Sequence, residues 1–100
     1  MDTREYTTEA VSLLRKLIAT PSTSRNETQA ADIMQSCIES YGLKAHRLRN
    51  NIWTIDPNYT PSRPTILLNA HIDTVKPVSS WTRDPFSPDI EDGTLYGLGS

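Results

Sequence analysis

The segment Thr65-Ile66-Leu67-Leu68-Asn69-Ala70, entered through Pro64, constrains this chain more than any other part of it. Its centre is apolar without alternation, and a strand with no polar face has to be covered on both sides, as in α/β sheets. The run Ile66-Leu67-Leu68 is far too short to cross a bilayer. The chain therefore needs elements that cover this strand.

Two helices precede it. From about Thr8 to Thr20, Val11, Leu14, Leu17 and Ile18 recur at helical spacing, with Arg15 and Lys16 on the other side. Thr7 or Thr8 supplies the cap, Glu9 suits the first turn, and Pro21 ends the helix. A second helix opens with Ser24-Arg25-Asn26-Glu27, a Ser followed three residues later by Glu, as in a capping box. Ala30, Met34, Cys37, Ile38 and Tyr41 then line one face, and Gly42 stands where a left-handed C-terminal cap belongs.

Beyond Gly42 the period changes. Leu43 to Leu48 suits a strand, and so does Ile52-Trp53-Thr54-Ile55, with Arg49-Asn50-Asn51 as the turn. Residues Asp56 to Pro64 form a loop, and the stretch from Lys76 to Pro88, with three prolines, shows little periodicity. Ile90 to Tyr96 fits a short hairpin around Asp92-Gly93. Helices followed by strands, one of them buried, predict an α/β or α+β layer architecture.

Composition narrows the function classes. With 100 residues the chain has room for one small domain, and 36% apolar residues leave little to bury. A net charge of -2 offers no basic stripe for nucleic acid. Met1 to Thr8 is polar, with no apolar core of a targeting signal, and the lone Cys37 fits a reducing compartment. The expected setting is cytoplasmic, with no membrane partner.

The residues best suited to chemistry are His71 and Asp73, which begin where the apolar strand ends. Ligands of open α/β sheets gather at that carboxyl edge. In extended chain the two side chains point the same way, so the carboxylate can accept a ring N–H, set the tautomer and raise the basicity toward a metal. On the local pattern alone, a structural histidine and a metal ligand both remain open. One imidazole cannot hold a zinc ion, which takes three or four protein ligands.

Three ordered elements carry a resemblance: His71-Ile72-Asp73-Thr74-Val75; Trp81 with Asp84-Pro85-Phe86; and Gly93-Thr94-Leu95-Tyr96-Gly97-Leu98-Gly99-Ser100. Together they resemble the metal-dependent amidohydrolase and metallopeptidase family of acetylornithine deacetylase and succinyl-diaminopimelate desuccinylase. The likeness covers nearly the whole chain and is most specific from Leu67 to Ser100.

The resemblance implies an α/β fold, with helices packed on a mixed, largely parallel sheet, of which residues 1–100 form the N-terminal portion. It implies that His71 is a terminal metal ligand and Asp73 the catalytic carboxylate that clamps it. It also implies two zinc ions in the complete site, with cobalt able to substitute, and a homodimeric enzyme. The bridging Asp, the glutamate pair, the later acidic ligand and the distal His would follow Ser100, leaving residues 1–100 inactive alone. The reaction is hydrolysis of the amide of an N-acyl amino acid by a metal-activated water. Leu98, where many members carry Arg, and the wording Gly-Leu-Gly-Ser point to an N-acyl-ornithine substrate and arginine biosynthesis. Diaminopimelate desuccinylation is the nearest rival, followed by an aminoacylase or dipeptidase.

Other residues have plainer roles. His46 sits in a polar strand as a solvated side chain, and Cys37 is a core thiol. The run Gly97-Leu98-Gly99-Ser100 lacks the Lys of a phosphate loop, and Leu98 stands where a nucleophile elbow needs Gly. Trp81 and Phe86 are expected to anchor the proline-rich loop on the core. A reading of another class, a small non-catalytic α/β interaction domain, requires residues 1–100 to fold cooperatively on their own.

Overall fold

A computed structural model describes residues 2–99. Helix α1 spans Thr3–Ile18 and α2 spans Thr28–Ser40. They are followed by strands β1 (His46–Leu48), β2 (Asn51–Trp53), β3 (Ile90–Glu91) and β4 (Thr94–Leu95).

Helix α1 starts five residues earlier than its apolar period indicates. Its cap is Asp2, whose side chain accepts from the Glu5 N–H while Glu5 accepts from the Asp2 N–H. That reciprocal pair satisfies two amides that the helix leaves without partners. Thr7 and Thr8 do not cap; their hydroxyls donate to the carbonyls of Thr3 and Arg4 inside the helix. Glu9 instead reaches α2, where it accepts from the Tyr41 hydroxyl. Tyr41 is accordingly a half-exposed bridge between the helices rather than a core residue.

The expected capping box of α2 does not form. Glu27 is the cap residue, without a side-chain cap bond, and its carboxylate accepts from the Arg25 N–H instead. Ala30 and Ala31 are the buried residues of α2, while Met34, Cys37 and Ile38 are half-buried. Gly42 takes the left-handed conformation, φ 75°, expected of it.

Strands β1 and β2 pair antiparallel, with Arg47 opposite Ile52. Arg47 fastens this hairpin to α2 by donating to Asp32 at 2.6 Å and Gln35 at 3.0 Å, and to Asn50 in the turn at 3.2 Å. His46 is half-buried and stacks on Trp53 with ring centroids 5.5 Å apart, so it is not the solvated residue its neighbours suggest. Strands β3 and β4 form the second hairpin, with Asp92 and Gly93 both at positive φ, as a two-residue turn between twisted strands requires.

The apolar segment departs most from expectation. Residues 64–73 form neither helix nor strand, and Ile66, Leu67 and Leu68 are 85%, 83% and 92% exposed. A strand apolar on both faces is stable only between neighbours and under covering layers. Among the described residues both ladders are antiparallel, and the one parallel contact is the bridge from Thr23 to Thr74. The arrangement of the described residues is a small α/β one.

Little is buried elsewhere. The apolar core among the described residues is Ile18, Ala30 and Ala31. The surface is 8035 Å², against roughly 5,700 Å² for a folded monomer of this size. The radius of gyration is 15.6 Å, against about 13 Å for a compact chain of this length. No helix among the described residues is long and apolar enough to cross a membrane.

The proline-rich loop is tethered by polar bonds rather than by aromatic anchors. Arg15 Nε donates to the Pro88 carbonyl at 3.0 Å, and Leu98 N donates to the Pro85 carbonyl at 3.1 Å. Trp81 is 40% exposed and Phe86 only half-buried, so neither seats the loop as expected. Arg83 lies over the Tyr96 ring at 3.5 Å and donates to Glu91 at 2.8 Å. That hydrogen bond, and then the guanidinium charge, holds the Glu91 carboxyl below its ordinary pKa. The pair's contribution is complete above the unfolded carboxyl's pKa and is lost as pH falls through the lower, folded value.

Two measurements check this description. Residues 1–100 alone should melt broadly by circular dichroism and bind an apolar dye; one sharp transition without dye binding would reveal a core larger than three residues. In Arg83→Ala the Glu91 carboxyl should titrate higher, back toward its ordinary range. Followed by NMR, an unmoved midpoint would show that the ion pair does not form in solution.

Candidate metal centre

His71 and Asp73 lie just past the apolar segment, where the chain turns back toward α1. Their side chains face one another: His71 Nδ1 is 3.1 Å from Asp73 Oδ1 and 2.9 Å from the Asp73 carbonyl oxygen. Both oxygens can only accept, so Nδ1 carries the proton. In the neutral ring Nε2 then keeps the lone pair, the state in which imidazole binds metals. The His71 side chain is 84% exposed and that of Asp73 40%. The ring is thus accessible and held mainly from one side.

The donor chemistry fits a divalent ion of the zinc type as far as one ligand can. A neutral imidazole oriented by a carboxylate is a usual zinc ligand with its usual outer partner. Among the described residues no group of three or more His, Cys, Asp or Glu side chains gathers to complete a site. His46 is occupied with Trp53 and does not join His71. Ser100, the last residue of the Gly-Leu-Gly-Ser run, lies outside the described residues.

Two clefts meet at the pair. One runs between residues 68–73, α2 and the β1–β2 hairpin, with Met34, Ile38, Asn50 and Trp53 on its far wall. The other lies on the α1–α2 loop side, lined by Thr23, Ser24, Val75, Lys76 and Gly99. A separate cleft between the two helices, lined by Lys16, Asp32 and Cys37, is remote from the pair.

The segment carrying the pair is held at Ser22, a residue with no local signal of importance. Ser22 is 3% exposed; its hydroxyl donates to the Ile72 carbonyl at 2.9 Å, and its own carbonyl accepts from Thr74 N at 2.8 Å. The glycine-rich run closes on the same place. A Cβ at Gly99 would stand 2.7 Å from Thr74 Cγ2, and one at Gly97 would stand 2.4 Å from Ile18 Cγ2. A Gly-x-Gly run beside a candidate ligand segment is a legible sign of close backbone approach, although its partners are not.

No family model matches the chain. Curated relatives do. Succinyl-diaminopimelate desuccinylase of Caulobacter sp. (strain K31) is 32% identical over 96 residues, covering 92% of this chain and 24% of the relative. The enzyme of the same name from Stenotrophomonas maltophilia (strain K279a) is 33% identical over 91 residues, covering 85% of this chain and 24% of the relative. That of Phenylobacterium zucineum (strain HLK1) is 32% identical over 96 residues, covering 92% and 25%. The chain is therefore a homologue of the acetylornithine deacetylase and succinyl-diaminopimelate desuccinylase family of hydrolases, as its three motifs indicate. Within that family the relatives above are desuccinylases, and the chain spans about a quarter of their length. The preference for N-acyl-ornithine, with its place in arginine biosynthesis, finds no support among them. It rested on the single residue Leu98 and a four-residue wording, too little to separate enzymes that share a scaffold.

The geometry makes the His71 tautomer testable. In wild type, long-range nitrogen–proton NMR should find Nδ1 protonated and Nε2 bare in the neutral ring. Asp73→Ala should lower the Nδ1–H population; an unchanged tautomer would assign the hold to the backbone carbonyl alone.

Proposed function

We propose that this chain is the N-terminal portion of a zinc-dependent hydrolase that cleaves the amide of an N-acyl amino acid, with N-succinyl-diaminopimelate as the substrate. His71 is one ligand of a two-zinc site and Asp73 the catalytic carboxylate that orients it. The observation carrying this reading is the His71–Asp73 contact, 3.1 Å from ring nitrogen to carboxylate, in a chain homologous to desuccinylases. The relatives' names favour N-succinyl-diaminopimelate over acetyl- or succinyl-ornithine.

Each residue has a physical task. Asp73 accepts the Nδ1 proton, fixes the ring plane and keeps the Nε2 lone pair outward; its negative charge also makes that lone pair more basic. When bound, zinc or cobalt supplies Lewis acidity that polarises an amide carbonyl and makes water a nucleophile near neutral pH. The remaining ligands and the general base belong to the rest of the complete enzyme, so residues 1–100 by themselves turn nothing over. The family resemblance extends to a cytoplasmic homodimer, and the single Cys37 accords with a reducing compartment. An independent interaction domain is disfavoured by a core of three residues and a bare apolar strand.

The complete enzyme should release succinate from N-succinyl-diaminopimelate, lose that activity to a chelator and regain it with zinc or cobalt. Release from N-acetyl-ornithine instead would move the substrate assignment; turnover indifferent to chelator would end the metal reading. His71→Ala should lower kcat/KM by at least about 100-fold and Asp73→Ala by roughly 10- to 100-fold, the range for outer partners of metal ligands. Near-normal turnover in either would remove that residue from the site.

A further inference from the structure

We infer that Ser22 is a positioning residue for the metal-ligand segment: from the loop after α1, it holds the backbone on both sides of Asp73, and through it the His71 ring. The inference rests on the metal-site reading above and deepens it. Four observations converge. Ser22 is 3% exposed and is the buried polar residue among those described. Its hydroxyl donates to the carbonyl of Ile72, the residue between His71 and Asp73, across 50 positions of sequence. Its carbonyl accepts from the N–H of Thr74, the residue after Asp73. Finally, Thr23 and Thr74 form a parallel bridge beside it.

The bonds at Ile72 and Thr74 bracket Asp73, so the peptide units on either side of its Cα are fixed. The Asp73 carbonyl and carboxylate are the two groups that hold His71 Nδ1. Without the Ser22 hydroxyl the Ile72 carbonyl loses a buried partner, and the unit carrying Asp73 is free to rotate. The imidazole then samples several directions, and an ion that needs Nε2 in one place meets it there less often. Ser22 is buried and Ile72 half-buried, so water replaces the lost hydroxyl less readily than it would on an open surface. Gly99 leaves no spare volume behind Thr74, so the far side of the segment is also constrained.

The experiment uses the complete protein freed of metal, with cobalt(II) as the probe. Its affinity is measured by titration and its geometry by visible absorption. Ser22→Ala should weaken cobalt binding by about 10-fold, as losses at outer partners of ligands do, and broaden the ligand-field bands. Ser22→Thr, which keeps the hydroxyl, should recover most of the affinity. Ala30→Gly, which loosens α2 away from this contact, should leave it unchanged. Binding and clamping are reciprocal, so cobalt should in turn slow hydrogen exchange of the wild-type Thr74 N–H by at least the same factor, more than it slows Ala31 N–H in α2. That measurement needs no variant and decides the matter if Ser22→Ala does not fold. Wild-type cobalt affinity in folded Ser22→Ala, or Thr74 exchange indifferent to cobalt, overturns the inference if His71→Ala has lost the metal. Cobalt bound normally by His71→Ala overturns the metal reading itself, and the role of Ser22 with it.

Discussion

One backbone bond and one side-chain hydroxyl bond at Ser22 join the front of this chain to its back. Helix α1 and the segment from His71 onward have no ladder in common beyond the Thr23–Thr74 bridge. What aligns them is the pair of bonds to Ile72 and Thr74, made by a buried Ser22 to a half-buried segment. Three further ties lie near this junction. Gly97 lies against Ile18, Gly99 against Thr74, and Arg15 holds the Pro88 carbonyl. The glycines serve here by lacking a Cβ, since any side chain would push α1 or the segment at Thr74 away. A buried hydrogen bond of this kind adds modestly to net stability, but its loss leaves an unsatisfied group whose cost exceeds that gain.

The bare strand is the complement of this economy. Ile66, Leu67 and Leu68 stand in solvent. Burying three such side chains is worth roughly 5–9 kcal/mol, and the described residues do not collect it. Such a segment positions His71 at its carboxyl end, where α/β proteins place their ligands. The chain spans about a quarter of the length of its desuccinylase relatives.

Homology and geometry contribute different parts of the functional reading. The desuccinylase relatives supply the homology, whereas the tautomer argument comes from the positions of two oxygens around one ring nitrogen. Neither would be sufficient alone. A histidine beside an aspartate is common, and a family name does not say which atom of the ring is presented.

What the sequence determined by itself is local. The apolar face of α2, the left-handed Gly42, the Asp92-Gly93 turn and the same-side placement of His71 and Asp73 all follow from spacings of a few residues. Over that distance, backbone geometry leaves few choices. Even locally, competition decided some details. Asp2 with Glu5 displaced the threonines as the α1 cap, and Glu27 turned to the Arg25 amide instead of closing a box. Tertiary structure alone decided that Ser22 meets Ile72 across 50 residues, that Arg47 gathers Asp32, Gln35 and Asn50, and that the apolar strand stands without neighbours. Those outcomes depend on which distant surfaces come together and which polar groups they shut away from water. No short-range pattern encodes that, because the free energy of such a contact arises only once the surrounding chain excludes the solvent that would otherwise replace it.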